Sequence, residues 1–103
     1  MTTNEFNQVV ENQTIRINRV LFDKAKEYAT DDRLHNFKVA AGLQGVPTKQ
    51  ALAGMMVKHT VSVYDMCMDE RTFPIELWDE KITDHINYLI LLRAIIEEEE
   101  EAL

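Results

Sequence analysis

A single cysteine, Cys67, leaves nothing for an internal disulfide and suits a reducing compartment. Between Met66 and Met68 it reads as a small buried hydrophobe. Long apolar runs are missing as well: no stretch approaches the roughly 20 residues needed to span a bilayer, so no membrane partner is expected. The opening residues Met1-Thr2-Thr3-Asn4-Glu5 lack the basic and apolar regions of a secretory leader, which makes the cytoplasm the expected compartment. No basic stripe is visible, and that argues against duplex nucleic acid as a partner. The net charge of −7 is unevenly spread, because five of the acids form the run 97–101 and the rest of the chain carries only −2. Acids at a helix C-terminus oppose the macrodipole, so the run reads as a solvated, fraying helix end. An acidic surface still permits a small anionic ligand, since a pocket can gather the few cations it needs.

Strand signals, internal repeats and low-complexity linkers are absent too; the one β-branched cluster, 60–63, sits inside a longer helical pattern. What remains is helical periodicity in a chain of 103 residues, 46% apolar and 28% charged, long enough for one core. The expected organisation is a single helical domain over 1–96 followed by an acidic tail over 97–103. A first helix is predicted over 3–29, with Thr2 and Glu5 at capping-box spacing and Phe6, Val10, Ile17, Val20, Leu21 and Tyr28 at helical period. Asp31 or Asp32 can cap a second helix over 33–44, whose apolar side is Leu34, Phe37, Ala40, Ala41 and Leu43 and which Gly45 stops. A third helix is predicted over 49–68, buried through Leu52, Met55, Met56, Val63 and Met66. Pro74 opens a fourth that runs to 98, with Leu77, Trp78, Ile82, Leu89, Leu92, Ile95 and Ile96 facing neighbours. Long helices with short connections point to an all-α four-helix bundle. The fourth helix is apolar nearly all round between Tyr88 and Ile96, which predicts a homo-oligomer.

Several polar residues interrupt these packing rows. Asp84 lies in the stripe Leu77, Lys81, Asp84, Tyr88, Leu91, Ile95, and it shares a face with Glu80 and Asn87. Burying a carboxylate without a partner costs several kcal/mol or more, so Asp84 should meet a cation, a metal or a ligand. Lys58 follows Ala51 and Gly54 on a small-residue row, and His59 follows Leu52 and Met55. Lys24 falls on the seam of Ile17, Val20 and Tyr28, while Asp32, Arg33 and Asn36 gather where the second helix begins and backbone donors favour an anion. Each feature has a plainer explanation: a salt bridge from Asp84 to Lys58 or Arg33, packed histidines at 59 and 85, a snorkelling Lys24 and core aromatics at 28 and 88. Together they supply cations, an acid, two carboxamides and rings, the inventory that a phosphate-bearing heterocycle requires.

The constellation Glu27-Tyr28, Asp32-Arg33-x-x-Asn36-Phe37, Lys58-His59 and Glu80-x-x-x-Asp84-x-x-Asn87-Tyr88 resembles small helical phage and prophage proteins allied to the nucleotide-modification-associated domains. More remotely it is similar to the MazG-like all-α nucleotide pyrophosphohydrolases. The resemblance spans about 15–96 and implies an oligomeric helical nucleotide-binding fold. It carries ligand contacts to Tyr28, Arg33, Asn36, Lys58, Asp84 and Tyr88. The pyrophosphohydrolases also need Glu-Glu-x-x-Glu and then Glu-x-x-Asp to hold magnesium. The first helix here has no such grouping, and Glu80 and Asp84 are four apart.

The leading expectation is a phage-type protein that holds a nucleotide or nucleotide-derived signal, sequestering it from a host defence pathway by analogy with small phage proteins. Lys24, Arg33 and Lys58 would neutralise phosphates, Asn36, Asp84 and Asn87 would read base or ribose edges, and Tyr28 or Tyr88 would stack, with His59 beside them. One alternative is a magnesium-dependent nucleotide pyrophosphohydrolase with Glu27, Glu80 and Asp84 as metal ligands and Asp32 as a further carboxylate. The incomplete acid motif leans against an enzyme. The other alternative is an interaction module, in which the acidic run or the apolar fourth helix engages a protein and Asp84 pairs internally.

Overall fold

The computed structural model describes residues 1–26 and 31–101, and among them every regular element is a helix. The helices are α1 (Thr3–Ala25), α2 (His35–Gln44), α3 (Thr48–Met68) and α4 (Ile75–Glu101). None is long and apolar enough to cross a membrane. The chain divides into two compact units, Met1–Asp31, built on α1, and Asp32–Leu103, built on α2, α3 and α4.

The start of α1 follows its sequence signature. Glu5 donates its backbone N–H to Thr2 Oγ1 at 3.1 Å, and Thr2 returns its own N–H to Glu5 Oε2 at 3.1 Å. Two donors that the helix cannot satisfy are thereby paired. The helix is assigned to Ala25 and capped by Lys26, whose N–H reaches the Asp23 carbonyl at 3.2 Å. The predicted continuation over 27–29 lies outside the described residues.

α2 begins two residues later than predicted. Asp32 Oδ1 accepts the Leu34 N–H at 3.0 Å and the Asp32 carbonyl accepts His35 N–H at 3.1 Å, so the acid closes a turn in front of the helix. Gly45 ends α2 in the left-handed region at φ 67°, where its N–H and that of Val46 both return to the Ala41 carbonyl. Pro47 then leads into α3, one residue ahead of the expected start, and Pro74 leads into α4.

α3 packs against both α2 and α4. Leu34 and Phe37 from α2 and the turn before it, Leu52 from α3 and Ile95 from α4 form the core, flanked by Met55, Met56, Tyr88, Leu91 and Leu92. Leu52 opposite Ile95 and Thr60 opposite His85 show that α3 and α4 run antiparallel. Several residues predicted to face neighbours instead face outward: Leu43 is 84% exposed, and Ile82, Leu89 and Ile96 are 36%, 47% and 40% exposed. Cys67 is likewise exposed rather than buried. Periodicity identifies residues that share a face, but a helix in contact on one side leaves its second apolar face in solvent.

α4 continues through the acidic run to Glu101, three residues beyond its expected end. Lys38 Nζ on α2 bridges Asp32 Oδ2 and Glu98 Oε1, each at 2.6 Å. This cation tethers the last turns of α4 to α2 and offsets part of their unfavourable dipole interaction.

The turn between α3 and α4 is fastened by its own side chains. Asp69 accepts the Arg71 N–H at 2.9 Å, and its two carboxylate oxygens take the guanidinium at 2.6–3.1 Å. Arg71 lies 5.6 Å from the Phe73 ring centroid, and Phe73 meets Trp78 edge-on. The Arg71 contacts hold the Asp69 carboxyl down to about 2, against 3.8 for the free group. A depressed carboxyl favours the folded turn above pH 4, and that contribution disappears as pH falls through 2. Carboxyl and guanidinium NMR signals of this turn should therefore move between pH 4 and 2; a midpoint near 4 would show that the fastening is absent in solution.

Candidate functional site

The polar residues that converge do so where α3 and α4 cross. His59 on α3 lies over Tyr88 on α4, with ring centroids 4.6 Å apart and planes inclined by 32°. Tyr88 also takes Phe37 of α2 edge-on at 6.1 Å, so one line of rings crosses all three helices of the larger unit. Burial pushes the His59 pKa down, while Asp84 pulls the other way and Lys58, Lys81 and His85 add to the depression. The ring is neutral at pH 7 and presents one donor and one acceptor nitrogen.

Beside it, Thr60 donates its hydroxyl to the Met56 carbonyl at 3.3 Å, which leaves its oxygen to accept from His85 Nε2 at 3.0 Å. Asp84 is half-buried, and among the described residues no ion pair joins it to Lys58. Asn87, 5% exposed one turn after Thr83, has a buried Oδ1 that accepts no hydrogen bond. An amide carbonyl removed from water without a donor is costly, and few are tolerated.

Of the nine ligand residues expected from sequence, the structure gathers His59, Asp84 and Tyr88 and places Asn87 on the same helix as the last two. Lys58 stands within electrostatic reach of His59 but is exposed, not set in a packing row. Asn36 is exposed on α2, and Arg33 is half-buried just before that helix. Lys24 is exposed on α1 in the other unit. For Lys58 the reason is angular: a row spaced by three or four spreads over a wide arc, and its edge residues reach solvent. Tyr28 and Glu27 lie outside the described residues. Among the described residues no three His, Cys, Asp or Glu side chains group as a metal-holding set, and Glu80 is exposed.

No family model, characterised protein or solved structure matches this chain.

Two residues that sequence reasoning did not assign to the site belong near it. His85 is anchored by Thr60, and Lys81 lies within electrostatic reach of His59 while also lining an open cleft of about 290 Å³ with Ser62, Asp65, Arg71, Phe73 and Leu77. The signal for Lys81 was present in the row Leu77, Lys81, Asp84, Tyr88. The cleft itself depends on how the α3–α4 turn closes, which no spacing encodes.

Proposed function

We propose that this chain is a phage-type, oligomeric nucleotide-holding protein of the host cytoplasm that binds a nucleotide or nucleotide-derived signal and sequesters it. The observation that carries the reading is the unpaired Oδ1 of Asn87, buried on the helix that also bears Asp84 and Tyr88. An acceptor in that state suits an N–H donor such as the exocyclic amine of a nucleobase. Asp84 offers a second acceptor, the His59 and Tyr88 rings offer a stacking surface, and Lys58, Lys81 and Arg33 supply positive charge for phosphates. The phage setting and sequestration rest on the resemblance. Holding without turnover rests on the incomplete acid motif.

Titration calorimetry with nucleoside mono-, di- and triphosphates and cyclic dinucleotides tests the reading. A charge-assisted hydrogen bond contributes about 1.5–3 kcal/mol, so Arg33→Ala and Lys58→Ala should each weaken binding by about tenfold or more while circular dichroism is preserved. Unchanged affinity in both variants, or no binding by the parent chain, removes it.

A further inference from the structure

We propose that the outward face of α3 is a self-association surface on which a second copy of this chain packs antiparallel in one register. Val57, Val61, Tyr64 and Met68 follow one another at intervals of four, three and four, and they are 56%, 49%, 63% and 66% exposed. They form a straight apolar stripe on the side of α3 opposite buried Leu52 and Met66. Four large apolar residues in one exposed row suggest a covered surface, and the charges beside them say what covers it.

Lys58 and Asp65 are seven residues apart and so occupy the same flank of the stripe. Both are exposed, and neither is ion-paired among the described residues. In an antiparallel helix pair each flank faces its own symmetry copy. Layering Val57 on the partner's Met68, and Val61 on the partner's Tyr64, buries all four residues twice over. The same register sets Lys58 against the partner's Asp65 and Asp65 against the partner's Lys58. A shift of one heptad in either direction brings lysine to lysine or aspartate to aspartate, and a parallel pair faces this flank with Thr60 and Cys67 instead. Exposed ion pairs add little energy, but like charges in the wrong registers select the right one.

The exposed row of α4, Ile75, Ile82, Leu89 and Ile96, lacks this self-complementarity. Glu76, Asp79 and Glu80 lie near one end and the acids of 97–101 at the other, with Arg93 the one exposed cation beside Leu89 and Ile96, so an excess of negative charge meets an excess of negative charge in either orientation. The α3 stripe covers 12 residues, about 18 Å of helix, which places the contact in the weak, dissociable class.

Sedimentation velocity on the full chain without added ligand, from about 5 to 500 μM, spans the dissociation range of such contacts. The parent should shift from monomer to dimer across that range. Lys58→Glu and Asp65→Lys, both at exposed positions, should each weaken the dimer about tenfold or more, and the double variant should restore it. A chain that stays monomeric throughout, a dimer indifferent to either reversal, or a double variant no better than the singles overturns the proposal. A dimer broken by Ile82→Asp but not by the reversals would assign association to α4 instead. No nucleotide enters the experiment, and Asp65→Lys, at a residue outside the proposed ligand contacts, reads association apart from the ligand reading.

Discussion

Leu52→Ala is expected to remove a large part of the stability of the larger unit. Leu52 is 0% exposed and touches the core from the middle of the three helices, with Leu34, Phe37 and Ile95 around it. Truncating a fully buried leucine costs about 2–5 kcal/mol, the spread reflecting how far the neighbours collapse into the gap. A body of about 70 residues is stable by only about 4–10 kcal/mol, so the loss is a large fraction of the total. Met55 and Met56 border the core, and their flexible side chains can fill part of the void, which favours the lower half of that range. At about 4–8 °C per kcal/mol for a domain this small, the thermal midpoint should fall by about 10–25 °C in a circular-dichroism melt. Val61→Ala, on the exposed face of the same helix, is the control and should shift the monomer's midpoint by only a few degrees. Similar shifts for the two variants would contradict the orientation of α3.

That orientation was only partly legible in the sequence. Thr2 with Glu5, Gly45, Pro47 and Pro74 are local signals whose backbone consequences are fixed within a few residues, and helix starts and stops appear close to them. The start of α2 escaped because an aspartate side chain can close a turn as readily as it caps a helix; here Asp32 bonds Leu34 N–H before helical geometry begins. How far the acidic run continues α4 escaped for a different reason. Its dipole penalty is a property of α4 alone, whereas the offsetting Lys38 sits about 60 residues earlier on α2. Contacts between distant positions leave no trace in local spacing.

The candidate site divides along the same line. His59 and Tyr88 were each visible as polar or aromatic members of apolar rows, and antiparallel packing of consecutive helices brings such rows face to face. Lys58 sits at the margin of its row, where a rotation of the helix by a fraction of a turn decides between burial and solvent. Asn87 was singled out for sharing a face with Asp84. That its carbonyl would be left without a donor depends on the side chains brought opposite it, which only the fold supplies.

Asn87 also gives the sharpest test of whether stability has been yielded to binding. A buried acceptor without a donor costs about 1–3 kcal/mol, and an apolar residue of similar shape removes that cost. Asn87→Leu is therefore expected to raise the thermal midpoint by several degrees. Asn87→Asp is expected to lower it sharply, because a carboxylate at a position only 5% exposed must either stay charged without a partner or take up a proton to fold. The aspartate variant should accordingly regain stability as pH falls from neutral toward the ordinary carboxylate value of about 4, with no further gain below it, which the parent should not do. In the ligand reading both variants bind nucleotide less tightly: leucine has no acceptor, and aspartate disturbs the packing that positions Tyr88. Stability gained together with affinity lost in Asn87→Leu would show that the carbonyl is kept for a visiting donor. Stability gained with affinity intact would leave the buried carbonyl as a cost unrelated to binding, and the nucleotide reading would lose the observation on which it stands.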